Sequence, residues 1–440
     1  MKTIMFRHRY RIPALWLALA LLPLPALAAD ACPQADAAAL AAREAGQRWR
    51  QIFDGRAEDS LYDLSAPERE AIGAYKRALA EAIDARLACS GEKIDPAALR
   101  RTLAAALNVA AQPAPPKDKA ASPDQLLIEV ERSAVPHPLI LVRAGFAIPC
   151  GDDNLLAGYA WNSGHWQRVL HWHSGDYQEV SGAYGDGFSF AALPGGQVVV
   201  AYGTPWCTSN WSHFRAAVIA PANGTAGQRV LFQMDADYFR DENIRLKKRP
   251  DGFELRAPVL SHDPGVLFRP GIFRYRVHGE TVQRVQPAAA NGRGFVDEWL
   301  GLDDVLARAW SDPAAADAVL QARQGLRKQD EATEALFSYG PVRACAGGEN
   351  RYQVEIELRD TTASKQWQDW PSYYWYALIR QEQNGFTMLG LSATPDAACK
   401  GPDLMAKPTK AETQAKAPAS ASQTARQPKP GKGRQPSSTR

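Results

Sequence analysis

The punctuation of the chain between Gln125 and Pro287 restricts its fold more than any other feature. Apolar runs such as LLIEVE, LILVRAG, LLAGYAW, QVVVAYG, FRAAVIA and RVLFQM are separated by clusters of Gly, Pro, Asn and Ser. Each run is too short for an ordinary helix and is built from residues that suit a pleated, half-buried surface, so the span reads as β-strands with frequent turns. PDGFELRAP and GIFRYRVHGETVQRVQP read as further hairpins. No repeat of fixed period runs through the span, which leaves a sandwich, a barrel or a partial propeller open.

The flanking segments have a different texture. Residues 32–110 are Ala-rich and periodic at helical spacing. Ser65 and Glu68 form a capping box with Pro67 in the first turn, and Ile72, Tyr75, Leu79 and Ile83 then share one face. Asp95-Pro96 opens a second helix through Leu99, Leu103 and Leu107, and Leu40, Trp49 and Ile52 mark an earlier one. Residues 111–124, with their prolines and lysines, read as an extended linker. After Ala288 helices come first, with Phe295, Trp299, Leu302 and Leu306 on one face. Strict alternation in RYQVEIELRD follows, then a hairpin at Asn384-Gly385, which suits a type I′ turn. The expected architecture is multidomain α+β. It comprises a small helical bundle (32–110), an antiparallel all-β domain (125–287) and an α+β domain with helices before an antiparallel sheet (288–403).

Residues 1–28 carry Lys2, Arg7, Arg9 and Arg11, then an apolar run to Leu27 and the small-x-small pattern Ala26-Leu27-Ala28. This reads as a signal peptide. Pro23 and Pro25 interrupt the run short of the roughly 20 apolar residues of a spanning helix, so the mature chain is expected to have no transmembrane helix. Residues 404–440 have no aromatic or large aliphatic side chain after Met405 and read as a disordered basic tail. Both ends are strongly positive while the whole chain is only +3, so the span between them is net acidic. That argues against a nucleic-acid partner and leaves the tail a weak electrostatic attraction to anionic surfaces. The expected location is periplasmic or secreted.

An oxidising compartment allows disulfides. Cys32, Cys89, Cys150, Cys207, Cys345 and Cys399 fall in three sequential pairs, one for each expected domain, which predicts the bridges Cys32–Cys89, Cys150–Cys207 and Cys345–Cys399.

The chemistry is sparse. The sequence holds no G-x-S-x-G, no H-E-x-x-H, no phosphate-binding glycine loop and no C-x-x-C. DADYFRDENIRL lacks the Gly and the final Glu of a calcium loop, leaving Asp235 and Asp237 as candidates for a looser cation site. GHWQRVLHWHSGDY, residues 164–177, is the densest cluster of functional side chains. Strict alternation places His165, Gln167, Val169, His171 and His173 on one side, with Trp166, Arg168, Leu170 and Trp172 on the core side. His165 and His171 are then about 20 Å apart, too far for one metal shell. The candidate metal set is His171, His173 and His213, with a carboxylate from Asp152, Asp153 or Asp176. Acid pairs such as Asp152/Asp153 would serve a glycosidase only with a partner across a cleft, and Asp303/Asp304 read as a solvated helix face. Among the C-terminal aromatics, Trp367, Trp370, Tyr373 and Trp375 are candidates for stacking on sugar rings or an apolar partner.

Three readings follow. The first is a non-catalytic exported binding or scaffold module of the cell envelope or extracellular space, with no cofactor and with an envelope protein or polymer as its partner. The second is an envelope or extracellular hydrolase with a His/Asp site in the β domain. The third is a glycan binder acting through the C-terminal aromatics.

Overall fold

A computed structural model describes residues 32–54, 64–107, 126–133, 138–148, 151–174, 182–183, 188–203, 211–221, 228–239 and 244–405. The expected leader, the linker, Cys150, Cys207, Asp176 and the tail beyond Met405 lie outside these residues. An N-terminal helical region is followed by two central antiparallel sheets, then by helices and a third antiparallel sheet. The chain divides into two compact units, Met1–Leu302 with Gln383–Phe386, and Asp303–Glu382 with Thr387–Arg440.

The first unit begins with helices α1 (Pro33–Asp54), α2 (Ala66–Ala88) and α3 (Pro96–Ala106). The capping box forms at the start of α2, where the Ser65 backbone N–H donates to Glu68 Oε2 at 2.6 Å. Asp95 caps α3 by accepting from the N–H groups of Ala97 and Ala98. Small residues on α1 let it lie close to α2; a Cβ at Gly46 would stand 3.0 Å from the Tyr75 ring. Cys32 and Cys89 tie the outer ends of these two helices by a disulfide.

The helices do not close on a core of their own. Trp49, Tyr75, Leu79, Ile83 and Leu103 share one buried cluster with Ile140, Val142, Phe146, Leu155, Ala157 and Tyr159 of the first sheet. That sheet has the order β1 (Leu127–Arg132), β2 (Leu139–Ile148), β3 (Gly151–Asn162), β4 (His165–His173), with β5 (Gly182–Ala183) beside β3. Both faces of β2 are covered, so its residues are buried throughout, Arg143 included, rather than alternately.

Opposite the helices, Leu139, Leu141, Leu156, Leu170 and Trp172 meet Phe188, Ala192, Val198, Val200, Ala217 and Ile219 of the second sheet. Its strands are β6 (Ser189–Ala192), β7 (Val198–Gly203), β8 (Trp211–Pro221), β9 (Gln228–Phe239), β10 (Arg245–Arg249), β11 (Gly252–Leu260), β12 (Phe268–His278) and β13 (Thr281–Val285). The β region is thus two facing sheets, with helices on the outer face of the first. Helix α4 (Gly292–Gly301) is held to β12 and β13 through buried acids. Arg269 pairs with Asp297 and, at 2.5 Å, with Glu298; Arg284 reaches Glu298 at 2.5 Å.

The hairpin between β3 and β4 turns through Ser163 (φ 51°) and Gly164 (φ 84°), the positive-φ pair that a two-residue type I′ turn requires. A β-bulge then interrupts β4. Gly158 opposes Leu170 while Tyr159 opposes Arg168, leaving Val169 as the extra residue. A bulge of one residue exchanges the faces of everything beyond it. Strict alternation along β4 therefore fails. Trp166 lies in the helix-facing cluster and Leu170 and Trp172 lie in the inter-sheet cluster.

The second unit holds α5 (Asp304–Ala309), α6 (Ala316–Thr333) and a sheet in the order β14 (Leu336–Ala344), β15 (Arg351–Arg359), β16 (Ser372–Glu382), β17 (Gly385–Ser392). Asp303 caps α5 through the N–H of Leu306 at 2.8 Å, and Asp304 pairs with the buried Arg323, so neither acid is merely solvated. Val354, Ile356 and Leu358 are fully buried, as their alternation requires. A disulfide joins Cys345 to Cys399. The β16–β17 turn is centred on Gln383 and Asn384 rather than on Asn384-Gly385. Gly385 takes φ 142°, a conformation that a Cβ opposes, and so begins β17. Among the described residues, no helix is long and apolar enough to cross a membrane.

Candidate functional site

The bulge decides where the histidines go. Beyond Val169, His171 opposes Ala157 and His173 opposes Leu155, both on the helix-facing side of the sheet. His165 lies on the other side of the bulge and is exposed. His171 and His173 therefore lie on the α2 side of the sheet, His171 half-buried and His173 exposed.

Helix α2 is fastened over the sheet by its C-terminal half. Tyr159 Oη donates to Asp84 Oδ1 at 2.7 Å, Arg168 Nη1 lies 3.4 Å from Asp84 Oδ2, and Trp166 Nε1 donates to the carbonyl of Gly91 at 3.0 Å. Towards its N-terminus a cleft of about 640 Å³ opens, lined from α2 by Arg69, Gly73, Lys76 and Arg77 and from the sheet by Asp153, His171 and His173. Leu64 and Ile72 add apolar wall.

At its floor, Lys76 Nζ lies 3.1 Å from Asp153 Oδ2 and donates to the Ser174 carbonyl at 3.1 Å. Asp153 is 1% exposed. Burial pushes this carboxyl up to about 7, against the charge and hydrogen bond of Lys76 and the hydrogen bonds of the Asn154 N–H and the Ser174 hydroxyl. Ser174 is fixed by the exchange of two bonds with Asn154. Its N–H donates to the Asn154 carbonyl at 2.8 Å, and its Oγ accepts from the Asn154 N–H at 3.0 Å. Burial lowers His171 to about 4, helped by the charges of Arg168, His173 and Lys76. A neutral imidazole and a carboxyl that takes a proton near neutrality thus share one cleft.

His171 and His173 are brought together, with ring centroids 5.7 Å apart. His213 is not part of this pair. It lies on β8 of the second sheet, which packs against the opposite face of the first, and its Nδ1 contacts the Asp237 carboxylate. Asp235 is engaged by Arg215 at 2.6 Å. Among the described residues, no group of three or more His, Cys, Asp or Glu side chains is arranged to hold a metal ion.

The four C-terminal aromatics are divided. Trp375 Nε1 donates to Gln329 Oε1 of α6 at 2.8 Å, and Trp370 Nε1 donates to the Ser364 carbonyl at 2.8 Å, both partly buried. Trp367 is 63% exposed and Tyr373 39%.

Sequence reasoning passed over Lys76, Arg69 and Arg77 because charges on an amphipathic helix read as its wet face. Their spacing from Gly73 held the available signal, since positions 69, 73, 76 and 77 fall on one side of a helix. No family model matches this chain, and comparison with curated proteins finds no match.

Proposed function

We propose that this chain is an exported, non-catalytic binding module of the cell envelope or extracellular space, and that the cleft between α2 and β4 is its binding site. The observation that carries this reading is the open cleft itself, about 640 Å³, with the Lys76 ammonium reaching into it above the buried Asp153. The leader-like N-terminus, together with two disulfides, supports export. The basic residues after Met405 would add attraction to an anionic envelope surface.

A thermal-shift screen of a small-molecule library against the mature protein and Lys76→Met tests this. Hits that shift the wild type and not the variant support the site. A screen whose hits shift both equally contradicts it.

Two observations favour other readings. A carboxyl near pH 7 beside two histidines suits acid–base work, so a hydrolase is the second reading, distinguished by turnover of ester, phosphate or glycoside reporters that is lost in His173→Ala. The exposed rings of Trp367 and Tyr373 favour glycan stacking, which glycan-dependent quenching of tryptophan fluorescence, abolished by Trp367→Ala, would support.

A further inference from the structure

The groups walling the cleft specify what it binds, and this inference rests on reading the cleft as a binding site. We propose that it takes an organic anion, a carboxylate or phosphate ester with an apolar body, and that Asp153 takes up one proton from solvent as the anion enters.

The walls are basic. Arg69, Lys76 and Arg77 approach from one side of α2, with Glu70 as the acid at the rim. Arg69 and Arg77 are exposed at the mouth, and Lys76 lies deeper, its side chain 14% exposed. An ammonium has three N–H donors; two of those of Lys76 go to Asp153 and Ser174, and the third is available to an oxyanion. Leu64 and Ile72 line the cleft and give an apolar body a surface to cover. The cavity volume is that of a small-molecule site. A cationic ligand would meet three positive side chains.

An ionised Asp153 would repel the anion. Protonation removes that charge from beneath the cleft. The proton comes from solvent and moves to the Asp153 carboxylate; no other bond is made or broken. The groups facing Asp153 leave it the natural acceptor. From α2 these are Lys76, with Arg69, Glu70 and Arg77 at the mouth; from β4 they are His171 and His173, with the Ser174 hydroxyl and the Asn154 N–H beside the carboxyl. His171 is held neutral by burial in the neutral range.

The test is isothermal titration of the mature full chain with octanoate, octyl phosphate and octylammonium at pH 8, in two buffers of different ionisation enthalpy. Both anions are expected to bind, with uptake approaching one proton per ligand, and octylammonium is expected not to bind. Asp153→Asn, which imitates the protonated acid, should bind the anions about tenfold more tightly at pH 8 with no proton uptake. Lys76→Met should weaken them about tenfold. If Lys76→Met fails to fold, Arg77→Gln at the exposed mouth should weaken them about threefold. Binding of octylammonium without the anions would overturn the ligand class and leave the binding site standing. Binding of none of the three would overturn both. Anion binding without proton uptake, or with uptake that persists in Asp153→Asn, would overturn the role of Asp153.

Discussion

Lys76 and Asp153 meet at 3.1 Å, and the carboxylate is almost wholly buried while the ammonium reaches into an open cleft. The two charges are unequally desolvated. Asp153 therefore sits at about 7 even with a cation beside it. A carboxyl raised in the folded state favours folding of its protonated form. Its ionisation costs stability increasingly as pH rises from near 3.8 to about 7, after which the cost is constant. Asp153→Asn is expected to raise the melting temperature at pH 8 and to change it little at pH 4, as calorimetry at both pH values would show. An equal effect at the two would mean that Asp153 does not titrate between them.

The acids beneath α4 have the opposite sign. Burial alone would raise Asp297, but the hydrogen bond from His262 and the charge of Arg269 hold it well below the usual carboxylate range. Its contribution is present above the unfolded value near 3.8 and is lost as pH falls further. Asp297→Ala leaves Arg269 buried beside Glu298 alone and is expected to cost about 3–5 kcal/mol in urea unfolding at pH 7, with the loss shrinking below pH 3.

Trp49 links the helices to the first sheet. It is 2% exposed and its Nε1 donates to the Ala147 carbonyl at 3.2 Å. Trp49→Ala is expected to cost about 3–5 kcal/mol. Because the helices and the sheet share one cluster, helical circular dichroism and the fluorescence of the sheet tryptophans should shift together to lower denaturant. Separate transitions would show that the helices fold on their own.

The Cys345–Cys399 disulfide closes a loop with a sequence separation of 54 residues, for which the chain-entropy model gives about 4 kcal/mol. The double substitution Cys345→Ala with Cys399→Ala is expected to lower the unfolding midpoint of the second unit, read by hydrogen exchange across β14 to β17. Unchanged exchange there would contradict the expectation.

Element types were legible in the sequence wherever period and caps agreed. Ser65 and Glu68 mark the start of α2, and Val354, Ile356 and Leu358 mark the buried face of β15. The facing of β4 was not legible. Trp166 and Leu170 have the same parity, yet they lie in different cores because Val169 bulges. Nothing local to HWQRVLHWH announces that bulge. It follows from pairing with β3, and it turns His171 and His173 towards α2. The cleft was invisible for a related reason. Asp153 belongs to a strand and Lys76 to a helix, and only their packing buries the carboxylate beside a cation.

Hydrogen–deuterium exchange with and without octanoate tests the central claim most directly. The account predicts protection of residues 66–77 of α2 and 171–174 at the end of β4, lost in Lys76→Met. Protection confined to the segment around Trp367, or none at all, would contradict it.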